Sequence, residues 1–291
     1  MFLLLNGFGF DPFGHCSLSS NIVFSALCIA QRPSQEVEMA KIPSKSHFVF
    51  VHGASHGGWC WYKIRCLLEK AGSKVTCLDL ASGGINPSDA NSIFTFDEYN
   101  KPLIDFMSAL PEDEKVILVG HSLGGLNVTD AMNKFVNKVH LAIYVNAQML
   151  PQKGEDKDKS EYRHAFEIWH GLGPDKPPTG VLMRKEFHRK LMYNMSPEED
   201  STLAAILLRP CPVMAVANAN IRVGEGVNKV TRICIRGTKD TFYKEKSFQA
   251  QIKMWPPSQI LTVESDHSPF FSAPTQLFSL LVEATASISS D

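Results

Sequence analysis

The sequence predicts an α/β protein, a mostly parallel sheet with helices on both faces and a mostly helical cap insertion. Three observations predict it. Six short apolar runs, rich in β-branched residues, lie at 47–52, 74–79, 115–120, 140–146, 230–236 and 258–263. Runs of this length that are apolar throughout suit strands buried on both faces. Helical spacing fills several of the gaps between them. Trp61, Ile64, Leu67 and Leu68 precede the stop signal Gly72, and Leu103, Phe106, Met107 and Leu110 precede Pro111. Strand and helix in alternation argue for a parallel sheet. The third observation is a lapse in that rhythm between about residues 151 and 228. It opens with a charged run at 153–159 and continues through Gly171-Leu172-Gly173-Pro174 and Pro177-Pro178. It then turns helical, with Leu203, Ile206 and Leu207 on one face. An insertion this long exceeds a simple loop. It is read as a cap over the carboxyl ends of the strands.

Composition bounds the rest. The 291 residues are 44% hydrophobic and 20% charged, enough for a sizeable core and unlike a disordered chain. A net charge of -1 argues against nucleic acid or an anionic membrane surface as the main partner. A small neutral molecule fits this balance, and the sequence leaves a homodimer open. The seven cysteines are odd in number and form no C-x-x-C pair, the usage of a reduced, cytoplasmic enzyme. The first 38 residues hold two apolar runs, 1–5 and 21–30, yet no Lys or Arg precedes Arg32. The positive region of a signal peptide is therefore missing. Neither run reaches the roughly 18–20 apolar residues that span a bilayer. Residues 1–38 are expected to be a dispensable extension. The first part of the core is placed at 39–150, the cap at 151–228 and the second part of the core at 229–291.

The chemistry centres on Gly120-His121-Ser122-Leu123-Gly124, which fits G-x-S-x-G and lies between an apolar strand and a helical stretch. That context makes it the nucleophile turn of an α/β-hydrolase fold. The glycines allow a tight turn that leaves the Ser122 hydroxyl free at a helix start, where an N-cap is the plain alternative. Serine needs a base to become nucleophilic, and in this fold the order is serine, acid, histidine. Of the histidines after Ser122, His140 sits at a strand's entrance, and His164, His170 and His188 fall in the cap. His267 alone follows the last strand, in the loop where the base belongs. Asp240 ends Arg236-Gly237-Thr238-Lys239-Asp240, just past the strand at 230–236, and is the expected acid. Glu245 lies deeper in the next helix, and Asp266 is too close in sequence to pair with its neighbour. Two backbone donors should receive a developing oxyanion: the N–H of Leu123 and, from the loop His52-Gly53-Ala54-Ser55-His56, the N–H of Ala54. His52 and His56 look like a metal pair but lack a third ligand, so neither a metal nor a cofactor is expected.

These segments resemble the plant methylesterases, relatives of the hydroxynitrile lyases. The resemblance rests on residues 47–54, on Gly57-Gly58-Trp59-Cys60-Trp61-Tyr62, on Leu78-Asp79-Leu80 with Gly84-Ile85-Asn86-Pro87, and on 116–125. It covers roughly 46–285 and places the catalytic serine, acid and base on Ser122, Asp240 and His267, and the oxyanion donors on Ala54 and Leu123. Within the family, 171–179, 189–197, 255–259 and 265–272 are most similar to the methyl indole-3-acetate esterases. That likeness implies hydrolysis of an auxin methyl ester, beside relatives acting on methyl jasmonate, methyl salicylate and alkaloid esters. The similar lyases carry a lysine after the histidine and a threonine in the first oxyanion loop. Here Ser268 follows His267, and Gly53-Ala54 occupy the loop, so an esterase is expected. The stretch 152–170 is shorter than the family's usual cap entrance and heavily charged. The rival of a different class is a hormone-binding receptor on the same fold.

Overall fold

The structure is a computed structural model that describes residues 46–151 and 162–288. The expected extension at 1–38 and the charged run at 153–159 lie outside the described residues.

All six apolar runs are strands, each within a residue of its expected bounds: β1 His47–Val51, β2 Lys74–Leu78, β3 Val116–His121, β4 Val139–Val145, then after the cap Thr231–Gly237 and Gln259–Val263. They form one sheet in which every pairing is parallel. The cap contributes β5 Phe166–Trp169, β6 Gly180–Met183 and β7 Cys211–Pro212, so the last two sheet strands are β8 and β9. The sheet order is β2-β1-β3-β4-β8-β9. Side chains alternate between two cores, as a pleat requires. Phe48, Phe50, Ile117, Val119, Leu141, Ile143, Ile233 and Ile235 face one; Val49, Val51, Val116, Leu118, Ala142 and Tyr144 face the other.

Helices α1 Tyr62–Lys70, α2 Phe96–Ala109 and α3 Gly124–Lys134 connect the first strands. Helix α1 stops two residues before Gly72, whose φ of +87° is the left-handed turn expected there. A capping box starts α2: Thr95 Oγ1 accepts the Glu98 N–H at 3.2 Å, and the Glu98 carboxylate accepts the Thr95 N–H at 2.9 Å. Ile64 and Leu68 of α1 pack on the first core, Leu103 and Met107 of α2 with Val128 and Met132 of α3 on the second. Burial on both faces holds for β1 and β3 and for all but one residue each of β4 and β8. It fails for β2 and β9, where most residues are only half-buried or exposed, because these are the sheet's rims.

The cap is more mixed than expected. It carries α4 Lys185–Leu191, α5 Glu198–Leu207 and α6 Val213–Ala217, but β5, β6 and β7 form a three-stranded antiparallel sheet that periodicity did not reveal. Strands of four, four and two residues are too short to show alternation. The apolar face of α5 also points the unexpected way. Leu203 is 40% and Ile206 73% exposed, while Asp200, Ser201 and Ala204 are buried. Polar anchors decide this: Asp200 takes the Tyr62 hydroxyl at 2.7 Å and pairs with Lys63, and Ser201 Oγ accepts from Arg189 at 3.2 Å.

The strand order reverses between β1 and β3, which are neighbours although not consecutive. Loops leaving adjacent strands at such a point diverge and open a crevice at the carboxyl edge. The loop with Gly53 and Ala54 leaves β1, and Ser122 follows β3, so both border this crevice.

Candidate active site

Ser122 occupies the turn between β3 and α3 with φ +51°, a strained value for a residue with a side chain. The turn is fixed from both sides. The Ser122 N–H donates to the Val145 carbonyl at 3.3 Å, and its own carbonyl accepts from Gly125 and Gln148 at 3.3 and 3.0 Å. Close packing requires glycine at 124, where a Cβ would stand 2.5 Å from the His52 carbonyl oxygen.

The structure brings the three expected side chains together. Ser122 Oγ lies 3.0 Å from His267 Nε2, and His267 Nδ1 lies 2.8 Å from Asp240 Oδ2. The histidine and aspartate side chains are both fully buried. With a carboxylate on Nδ1, the proton belongs there, and Nε2 is left as the acceptor for the serine hydroxyl. Asp240 is held by the Phe242 and Tyr243 N–H groups, each 2.9 Å from Oδ1. Asp266 turns away from its neighbour His267 and bonds elsewhere, as adjacency in sequence suggested. Glu245 is largely exposed.

Ala54 and Leu123 flank the same crevice. Among the described residues neither backbone N–H donates to a protein acceptor. The rings of His52 and His56 serve the loop. His52 Nδ1–H donates to the Gly53 carbonyl at 2.7 Å and its Nε2 accepts from the Leu80 N–H at 3.0 Å. His56 Nδ1–H donates to the Ala54 carbonyl, and its Nε2 accepts from the Tyr193 hydroxyl, both at 2.8 Å. Burial pushes the His56 imidazole down to about 3, so it stays neutral in this bridge. No cluster of three metal-ligating side chains occurs among the described residues.

Several supporting residues escaped the sequence reading. Asn146, with φ +44° just past β4, donates to the carbonyls of Asp266 and His267 at 3.1 and 3.2 Å and accepts the Gly237 N–H at 2.7 Å. It ties the ends of β4 and β8 to the histidine loop. An asparagine closing an apolar strand was the available signal, since Asn tolerates the left-handed region. His121 Nε2–H donates to the His267 carbonyl at 2.8 Å. Burial and the neighbouring histidines hold its imidazole well below the usual range. Tyr193, in the cap, offered no signal beyond being aromatic.

Above Ser122 lies a small cavity of about 50 Å³. Phe166, Met183, Met192, Tyr193 and Leu208 of the cap enclose it with Phe242, and among the described residues no Lys or Arg lines it. Trp169, Phe187, Met195, Leu203 and Leu207 of the cap do not reach this wall. The arrangement is a hydroxyl with a base, a base with a carboxylate, and two free N–H donors beside an uncharged pocket. It can attack a neutral carbonyl carbon and stabilise the oxyanion that results.

The alpha/beta hydrolase family model matches residues 48–280. The chain is 46% identical to Methylesterase 17 of Arabidopsis thaliana, over 88% of its own length and 98% of that protein. It is 46% identical to a pheophorbidase of Raphanus sativus, over 82% and 94% of the two chains. The crystal structure of methylesterase MES16 from Arabidopsis superposes with a TM-score of 0.77 at 46% identity, covering 83% of this chain and 99% of that one. The chain therefore belongs to the plant methylesterase family of the α/β hydrolases, enzymes that act on ester bonds.

Proposed function

We propose that this enzyme hydrolyses the methyl ester of a small carboxylic acid with a flat apolar ring, methyl indole-3-acetate being the expected substrate. The observation that carries the reaction is the hydrogen-bonded chain Ser122–His267–Asp240 opening on an uncharged pocket. His267 Nε2 takes the Ser122 proton as Oγ attacks the ester carbonyl carbon. The oxyanion is received by the N–H groups of Ala54 and Leu123. Collapse breaks the bond to the methoxy oxygen, which leaves as methanol with the proton from His267. Water, deprotonated by His267, then attacks the acyl-enzyme and returns Ser122 and the free acid. An uncharged wall favours the neutral ester over the carboxylate product, which aids release. Phe166 and Phe242 offer ring faces, and Met183 and Met192 adapt to the acyl outline.

Parallel assays on methyl indole-3-acetate, methyl jasmonate and methyl salicylate test the acyl group. The indole ester is expected to show the highest kcat/KM, by about tenfold or more. A preference for either of the others would reassign the substrate. Stoichiometric binding without turnover, and no block by a serine-directed phosphonate, would favour a receptor.

Tyr193→Phe tests the oxyanion loop. It leaves His56 Nε2 buried without a donor, so the Ala54 backbone loses its brace. A fall in kcat of about tenfold at an unchanged KM is expected from steady-state kinetics.

A further inference from the structure

Asp240 Oδ2 serves two partners. It takes the His267 Nδ1–H at 2.8 Å and also the Arg236 Nη1–H at 3.0 Å. Arg236 sits near the end of β8 with only 8% of its side chain exposed. Its second arm, Nη2, donates to the Tyr243 carbonyl. Its guanidinium carbon lies 5.4 Å from the ring centroids of both Tyr243 and Phe248. The other carboxylate beside it is Glu245, 3.7 Å from Nε but 66% exposed and so screened by solvent.

A planar fork anchored at the Tyr243 carbonyl prevents Oδ2 from swinging away from the imidazole. The same cation stands two hydrogen bonds from a ring that must become positive as the serine loses its proton. We propose that Arg236 is a positioning residue: it locks Asp240 against His267, so that the imidazole keeps the orientation in which it takes the Ser122 proton. This inference rests on the esterase reading of Ser122.

The surroundings isolate the effect. His267 faces Asp240, the Ser122 hydroxyl, the Phe242 ring at 5.1 Å and the His121 ring at 4.8 Å, with His56 behind His121 at 5.9 Å. Both of those histidines are held neutral by burial. Asp266 bonds to the cap and to Ser268 and Ser272, on either side of Pro269. Among these groups, the Asp240 carboxylate is the one that Arg236 holds.

The test is kcat and KM on a neutral methyl ester, with melting temperatures, for the wild type, Arg236→Gln, Arg236→Met and Arg236→Lys. In the Gln and Met variants kcat should fall about tenfold with KM unchanged. Arg236→Lys keeps the charge but cannot hold Asp240 and the Tyr243 carbonyl together. Its kcat should fall about threefold or more. Folded Gln and Met variants with the wild-type kcat would overturn the inference. If neither folds, Arg236→Lys decides, and a wild-type kcat overturns it. These failures leave Ser122-dependent turnover intact; a wild type as active after Ser122→Ala would overturn both readings.

Discussion

Ser122→Ala is expected to lower kcat for methyl-ester hydrolysis by about 10⁶-fold, the largest effect of any single substitution considered. Without Oγ there is nothing for His267 Nε2 to deprotonate, and the 3.0 Å contact that begins the chain disappears. The donors at Ala54 and Leu123 and the pocket remain, so a residue of about 10³–10⁴ over water should persist. The fold should be indifferent. The strain at φ +51° is the same for alanine as for serine, and the turn is held by backbone bonds that the substitution does not touch. The lost hydrogen bond should change stability by about 1 kcal/mol or less. His267→Ala should cost nearly as much as Ser122→Ala, and the double variant no more, because the groups act as one unit. Burst kinetics and mass spectrometry of a phosphonate adduct at Ser122 check this. Near-wild-type turnover by a purified, folded Ser122→Ala protein would remove the serine from the mechanism.

The parts of this site legible in the sequence are those whose chemistry imposes a local signature. The turn at Ser122 needs glycines flanking a serine between strand and helix, and that pattern survives in one dimension. His267 and Asp240 were found by chain order and by lying just past strands whose apolar runs are unmistakable. The bracing was not legible for the opposite reason. Asn146, His121, Tyr193 and Arg236 matter through partners tens of residues away or folded back on them. Beyond the strand-closing position of Asn146, nothing in their immediate sequence distinguishes them from other residues of their type. Helix α5 makes the same point about the fold. Its leucine and isoleucine spacing implied a buried face, yet Asp200 and Ser201 face inward because Tyr62, Lys63 and Arg189 meet them there. A hydrophobic pattern ranks faces by transfer free energy, and a set of buried hydrogen bonds can outweigh two half-covered side chains.

Asp266→Ala is the substitution expected to cost the most stability. The carboxylate is fully buried and accepts five hydrogen bonds. Its Oδ2 takes the N–H groups of Met195 and Ser196 at 2.9 and 2.8 Å and the Ser196 hydroxyl at 2.8 Å. Its Oδ1 takes the Ser268 N–H at 2.9 Å and the Ser272 hydroxyl at 2.7 Å. Met195 and Ser196 belong to the cap, between α4 and α5, whereas Ser268 precedes and Ser272 ends the turn Pro269–Ser272 that follows His267. One side chain thus joins the wall of the pocket to the loop that carries His267. Alanine leaves five donors facing a void. The hydroxyls can rotate to other acceptors, but the three N–H groups cannot. Loss of such a buried ionic hub costs about 3–5 kcal/mol. For a chain of this size that lowers the melting temperature by roughly 10 °C. Asp266→Asn should fall between, since its amide offers one accepting oxygen and sets an NH2 against the remaining donors. Activity should drop in both variants through the displaced histidine loop, with KM rising as the cap loosens. Thermal unfolding followed by circular dichroism, and protease cleavage of the cap in the folded state, would measure the two effects separately. A shift under about 1 kcal/mol with an uncut cap would mean that water or rearranged hydroxyls replace the carboxylate, and that cap and catalytic loop are held together by apolar packing instead.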